Sequence, residues 1–393
     1  IRDVLGSRGL GDVYKRQIGG LLQAYALQKT LEDNGIESEQ LSVWHYKKET
    51  VSFRRKLTSK AIRMIKNPVA EIKATKHNRE MEWRKNVISA DIEKRQKHMR
   101  AFMQEIPHSS QIYTPDNIKE SLKDYSGYIV GSDQVWNPGY LESTYLLDFV
   151  PKGYRKISYA SSIGVNTIPK KCHKIYCKYL SDFSYISMRE QQGAKCISKM
   201  IRRSVDTVLD PTLLLSSLEW KEICSKEVNN ISSSLPDKYL LCYFVGNMAQ
   251  HMKEIQDISK EMNLKIVVLP IIEQETRLSE CVVINNAGPK EFVAAVNGAT
   301  MVCTDSFHMC AFSLNFQKEF WVFKRFNDNS SSSQNSRIDN LFSEFGINRY
   351  FNDGDRQSLD YNRISISLKN KRTECKKLLF SAIDGKVAAI HSS

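Results

Sequence analysis

The residues best suited to chemistry in this chain sit in the run Asp305-Ser306-Phe307-His308. An apolar run, Met301-Val302-Cys303, precedes it, and a helix-compatible apolar run, Met309 to Leu314, follows. That pattern predicts strand, tight turn, helix. It places an imidazole at the carboxyl end of a parallel strand, the edge where open α/β sheets bind ligands. The helix start adds free backbone N–H groups and the positive end of the macrodipole, which suit an anion. Histidine is also the side chain that exchanges protons near neutral pH. A plainer reading competes: Asp305 or Ser306 caps the helix, and His308 packs in its first turn.

Three more polar clusters stand where apolar runs end. Ser132 and Asp133 follow Tyr128-Ile129-Val130, Ser161 and Ser162 follow Ile157-Ser158-Tyr159-Ala160, and Arg189 and Glu190 follow Tyr185-Ile186-Ser187-Met188. Any one of them fits a cap or a turn. Four together at strand ends mark the edge where α/β crevices form. Gly19 and Gly20 open a further helix, striped by Leu22, Ala26, Leu27 and Leu31. Paired glycines at a helix start let backbone approach a phosphate; tight helix–strand packing explains them equally well.

The elements that must position these groups alternate. Strands are predicted at 128–130, 157–160, 185–188 and 205–209, with helices at 168–183 and 190–201 between them. A short strand is predicted at Leu41 to Trp44. After the polar run Asn229 to Ser234 and Pro236-Asp237, strands are predicted at 239–245, 265–269, 281–284 and 319–323, besides the one before His308. Helices are predicted at 249–262 and 289–296, and a helical tail at 368–390. Alternation of this kind implies mainly parallel sheets covered on both faces. Asn327 to Asn335, with four consecutive serines, reads as a flexible loop beside the site. The expected layout is a first domain over 18–235 with a basic helical insertion at about 47–106, a second over 236–350, and a helical tail over 351–393. Residues 1–17 are expected to be non-native. Leu10 to Gln17 resembles translated adapter sequence, no Met opens the chain, and no strand is recognised before the Gly19-Gly20 helix.

The 393 residues, 41% hydrophobic, suit a two-domain globular protein. No apolar run approaches the roughly 20 residues of a membrane span. Nine cysteines without a C-x-x-C pair argue for reduced thiols in a cytoplasmic protein, against a disulfide framework and against a metal site. The net charge of +13 is concentrated: Lys47 to Arg100 holds 17 Lys/Arg against 6 Asp/Glu, an excess of 11. Such a stretch suits peripheral association with an anionic membrane, placing the protein at the inner face, or it is a solvated helical face. Aromatics do not interleave the charges, so nucleic acid is not expected as a partner.

The motifs Gly19-Gly20-x-Leu22-Gln23-Ala24-Tyr25-Ala26-Leu27, Gly131-Ser132-Asp133-Gln134-Val135-Trp136-Asn137, Ser158-Tyr159-Ala160-Ser161-Ser162-Ile163-Gly164, Ser187-Met188-Arg189-Glu190, Leu209-Asp210-Pro211-Thr212 and Thr304-Asp305-Ser306-Phe307-His308 resemble, in kind and order, those of the polysaccharide pyruvyl transferase family. The resemblance implies an α/β fold of two Rossmann-like domains with mainly parallel sheets facing across a cleft, GT-B-like. It implies transfer of a pyruvyl group from phosphoenolpyruvate to two hydroxyls of a sugar, with no cofactor and no metal. The acceptor it implies is a cell-surface glycan or a lipid-linked precursor. Arg189 and His308 match donor-site positions. Within this frame His308 is the acid or phosphate contact, Arg189 the fork for carboxylate or phosphate, and Asp133 orients or deprotonates the acceptor or caps its turn. Gly19, Gly20, Ser306 and Arg337 are assigned to the donor phosphate. Ser132, Gln134 and Trp136 are assigned to the acceptor, Trp136 by stacking on a sugar face or else by packing in the core.

Two departures from the family pattern stand out. Some members carry an Arg where this chain has Ser306, so Lys324, Arg325 or Arg337 is expected to supply the missing grip. An Asn-Tyr precedes the glycines in the family, where Gln17-Ile18 stands here. Two other readings stay open on the residues alone: a GT-B glycosyltransferase using a nucleotide sugar, and a non-catalytic glycan- or membrane-surface-binding protein.

Overall fold

The computed structural model describes the backbone of residues 2–5, and residues 18–43, 86, 89–225, 234–271, 280–325, 335–355 and 357–386. Two open parallel sheets carry the fold. The first is built from β1 (Arg2–Leu5), α1 (Ile18–Glu32), β2 (Gln40–Val43), α2 (Ser89–Gln104), β3 (His108–Tyr113), β4 (Gly127–Gly131), β5 (Arg155–Ser161), α3 (Lys170–Leu180), β6 (Tyr185–Met188), α4 (Gln191–Ile201) and β7 (Asp206–Thr207). Its spatial order is β3-β2-β1-β4-β5-β6-β7. After α5 (Ser217–Ile223) the chain enters the second sheet, built from β8 (Tyr239–Tyr243), α6 (Met252–Glu261), β9 (Lys265–Val268), β10 (Val282–Val283), α7 (Pro289–Gly298), β11 (Met301–Thr304), α8 (Phe307–Asn315) and β12 (Glu319–Val322). That sheet runs β10-β9-β8-β11-β12. Helices α9 (Ser336–Phe345) and α10 (Tyr361–Asp384) complete the described chain.

The strand pairs are parallel in both sheets. Strands buried on both faces read as continuous apolar runs; Tyr128, Ile129 and Val130, and Val302 and Cys303, are fully enclosed. In each sheet the order reverses once, at β1/β4 and at β8/β11. Such reversals open a crevice outside the carboxyl ends of the strands, and the two crevices face each other.

The backbone of Arg2–Leu5 lies between β2 and β4. That is the strand which a helix opening on Gly19-Gly20 requires, and which the sequence reading does not recognise in residues 1–17. The adapter-like run Leu10 to Gln17 lies outside the described residues, as do most of the basic segment and the serine run at 330–333. β3 was also not foreseen, because His108-Ser109-Ser110-Gln111 carries little apolar signal. Only Ser109 and Tyr113 of this strand, which ends the sheet, are buried.

The end of the basic segment, α2, is wedged between the domains. Phe102 packs on Tyr25 of α1 with ring centroids 5.0 Å apart. The buried Arg95 donates to the Pro270 carbonyl at 2.8 Å, and Glu105 pairs with Lys290 of α7 at 2.7 Å. Helix α10 returns across the first domain: Arg372 Nε donates to the Leu213 carbonyl at 2.7 Å, and Cys375 Sγ accepts the Leu209 N–H at 3.3 Å. Among the described residues no helix is long and apolar enough to cross a membrane.

Candidate active site

The loop after β4 is set by backbone geometry. Gly131 has φ 128°, and a Cβ there would run into the Tyr159 carbonyl, so only glycine fits. Ser132 is buried: its N–H donates to Gln23 Oε1 at 3.0 Å, and its hydroxyl donates to the Ala160 carbonyl at 2.9 Å and to Asp210 Oδ2 at 3.2 Å. Asp133 follows in the left-handed region at φ 62°, which turns its carboxylate toward the cleft.

There it meets a buried charge network. Arg189, at the end of β6, donates to Asp133 Oδ1 at 3.2 Å and to Asp210 Oδ2 at 2.9 Å. Its guanidinium lies 4.5 Å from the ring centroid of Phe307, which belongs to the other domain. Asn340 of α9 donates to the Arg189 carbonyl at 3.1 Å and accepts the Gln191 N–H at 2.8 Å. Asp210 Oδ1 accepts from the Thr212 backbone and hydroxyl at 3.0 and 2.7 Å. His308 Nε2 stands 3.9 Å from Asp210 Oδ2.

Burial opposes charge on Asp133, but Arg189, His308 and Arg337 prevail and hold its carboxyl at about 2. Asp210 is likewise held below the ordinary range: burial is outweighed by His308, Arg189 and the Thr212 donors. For His308 burial wins. Its pKa is lowered despite Asp210 and Asp133, with Arg189 and Arg337 adding to the fall.

The second domain closes the site. Asp305 does not cap α8; its carboxylate accepts the Val245 and Gly246 N–H groups at 2.6 and 2.7 Å, tying the loop after β8 to the end of β11. Ser306 is the cap, accepting from Met309 N at 3.5 Å. The plainer reading therefore holds for Ser306, while His308, one residue into α8, turns into the cleft. Its imidazole lies against Gly19: a Cβ on that glycine would fall within contact distance of Nδ1 and 2.6 Å from Cγ. Burial and the neighbouring Arg189 bring Arg337 down to about 10.

A cavity of about 300 Å³ occupies the cleft, lined by Gly19, Gly20, Asp133 and Gln134 from one domain and by Ser306, Phe307, His308, Arg325 and Arg337 from the other, with Tyr243, Val245, Ile271 and Phe292 as an apolar wall. The starts of α1 and α8 converge on it beside two guanidinium groups. That combination binds a small anion.

The structure thus brings His308, Asp133, Gly19, Gly20, Ser306, Gln134 and Arg337 to one cavity. Arg189, expected to fork onto a ligand, is not among the residues lining this cavity; its guanidinium is engaged by the carboxylates of Asp133 and Asp210. Trp136 takes the second of its two readings, packing in the core. It is fully buried, its indole N–H donates to the Tyr145 carbonyl at 2.7 Å, and its ring meets Phe183 edge-on, so no sugar can stack on it. Ser132 is fully buried and enclosed by its own hydrogen bonds. Lys324 turns away to Asp353, at 3.3 Å, leaving Arg325 and Arg337 where Ser306 replaces an arginine. Glu190 accepts from Ser162 and Ile163 at 2.9 and 2.8 Å and braces that loop. Asp210 was missed as a functional group, although Asp-Pro-Thr directly after a strand was its signal. Among the described residues no cluster of three or more His, Cys, Asp or Glu side chains could hold a metal.

The fold and cleft are those of a GT-B-like two-domain protein. UDP-GlcNAc 2-epimerase from Neisseria meningitidis, solved bound to UDP-GlcNAc, is similar at TM-score 0.50 and 10% identity, over 93% of this chain and 97% of that one. The Methanocaldococcus jannaschii UDP-GlcNAc 2-epimerase follows at TM-score 0.46 and 11% identity, over 94% and 99%. The wall teichoic acid polymerase TagF H548A gives TM-score 0.37 and 12% identity, over 85% and 93%. Of these, the Neisseria likeness bears on this chain, and at that identity it speaks to the fold alone. The comparison with curated proteins found no match in sequence. The sequence profile of polysaccharide pyruvyl transferase matches residues 18–325, and the chain belongs to that family.

Proposed function

We propose that this transferase moves the pyruvyl group of phosphoenolpyruvate onto two hydroxyls of a sugar in a cell-surface polysaccharide or its precursor. The observation that carries this reading is the small cavity where two helix starts, Arg325 and Arg337 surround His308. Its volume sits at the lower end of ligand sites, roughly 300–1,000 Å³, which suits a three-carbon phosphate. The imidazole has its pKa lowered in the ligand-free cleft; an arriving trianion raises its affinity for a proton.

The reaction then balances on the residues present. His308 gives a proton to the methylene carbon, which becomes a methyl group, and a sugar hydroxyl oxygen bonds to the central carbon. A second hydroxyl displaces phosphate from that carbon and closes the ketal. Of the two hydroxyl protons, one returns to His308 and one leaves with phosphate. Asp133, held ionised, faces the acceptor side and orients a hydroxyl. No cofactor enters this scheme. The acceptor is a glycan or lipid-linked sugar, met at the inner face of the membrane if the basic segment binds anionic lipid.

Phosphoenolpyruvate at about 100 times its Kd is expected to stabilise the protein by roughly 2.7 kcal/mol, read as a rise in melting temperature. A rise with a nucleoside diphosphate and none with phosphoenolpyruvate would replace this reading with nucleotide-sugar glycosyl transfer. In the same cavity, Gly19→Ala is expected to push the imidazole off its seat. Misplacement by about 1 Å costs on the order of 100-fold in turnover. Phosphate release from phosphoenolpyruvate with a polysaccharide extract checks it, and unchanged turnover would remove Gly19 from the site.

A further inference from the structure

The two nitrogens of His308 face different surroundings. Nε2 is buried, has no hydrogen-bond partner among the described residues, and stands 3.9 Å from Asp210 Oδ2. That is roughly 1 Å beyond an N–H···O bond, a gap of the kind that tightens when a ligand closes the cleft. Asp210 comes from the first domain and His308 from the second, so the pair is completed across the cleft. The Nδ1 edge faces the first turn of α1, at the place where Gly19 lacks a side chain, and both residues line the cavity.

We propose that Asp210 anchors His308 through Nε2–H, and that Nδ1, on the Gly19 side, exchanges the proton with the substrate. A lone pair on Nε2 would confront a carboxylate, whereas a proton there is attracted to it. On the other edge, the start of α1 presents unsatisfied N–H groups and positive dipole, surroundings that favour a lone pair on Nδ1. Two independent contacts therefore select the same neutral tautomer. On protonation the added hydrogen sits on Nδ1, at the cavity. Only the identity of the proton's recipient, the methylene carbon of the donor, rests on the pyruvyl-transfer reading.

Ser132 and Arg189 donate to the oxygen of Asp210 that faces His308, and Thr212 holds the other. Asp210 is thus a positioning residue with a fixed orientation, not a group that touches substrate. The absence of a side chain at Gly19 leaves room for the Nδ1 edge of the imidazole against α1.

The test is nitrogen NMR of the imidazoles in the full, ligand-free chain, with the His308 signals identified by their loss in His308→Gln. The expected neutral form carries hydrogen on Nε2 and none on Nδ1; the opposite tautomer overturns the proposal. In Asp210→Asn the His308 titration midpoint is expected to fall by about one pH unit or more, with Asp133, Arg189 and Arg337 still facing the ring. An unchanged midpoint in the folded variant also overturns it. Should Asp210→Asn fail to fold, the wild-type tautomer decides. Neither arm uses phosphoenolpyruvate, so failure of that ligand to bind would defeat the proposed reaction and leave this result standing.

Discussion

His308→Gln is expected to lower turnover by about 10²- to 10⁴-fold, the usual contribution of a positioned acid or base, while stabilisation by phosphoenolpyruvate persists. Glutamine keeps much of the bulk and a polar tip but cannot carry a proton between carbon and oxygen. The anion-binding groups, Arg325, Arg337 and the starts of α1 and α8, are untouched by the change. The separation of effects is the informative part: kcat falls, and the thermal shift with donor remains. Phosphate release measured with a polysaccharide extract gives the first, and a melting curve gives the second. Turnover within a few-fold of wild type would remove His308 from the chemistry.

Arg189→Met should instead act on stability. The guanidinium is the shared partner of Asp133 and Asp210, whose side chains are 19% and 0% exposed. Breaking a buried pair by removing one member typically costs about 3–5 kcal/mol, because a charge is left unpaired. Here two carboxylates lose their common cation. The loss should appear as a lower urea midpoint with similar slope. Adding Asp133→Asn to Arg189→Met should recover part of it, since the two sites share one network. A wild-type midpoint in Arg189→Met would mean that the network holds no net stability, and the buried ion pairs would then be neutral.

What could be read in the sequence follows from how local each feature is. His308 was legible because strand, turn and helix are contiguous there and the apolar pattern frames the imidazole. Asp133 and Arg189 were legible as strand-end polar groups. Their meeting with Asp210 was not, because it depends on β4, β5, β6 and β7 lying side by side in register. Trp136 stayed between two readings because an indole in a polar-looking motif carries no mark of its burial; Tyr145, nine residues on, and Phe183, far along the chain, enclose it. β1 was lost because residues 1–17 were set aside for the likeness of Leu10 to Gln17 to adapter sequence, and β3 because its mostly exposed positions weaken the apolar alternation. Arg337 lines the cavity because α9 carries it there.

The chain crosses between the domains twice, once between α5 and β8 and once on the return through α10, where Arg155 also donates to the Ile383 carbonyl. The second crossing is fastened at both ends: Tyr361 donates to the Lys318 carbonyl of the second domain, and Arg372 and Cys375 bond to the first. One of these moorings, the bond from Leu209 N–H to Cys375, is one residue from Asp210. The carboxylate that faces His308 is thus held beside the point where the last helix is moored to the first domain, while the imidazole reaches it from the second.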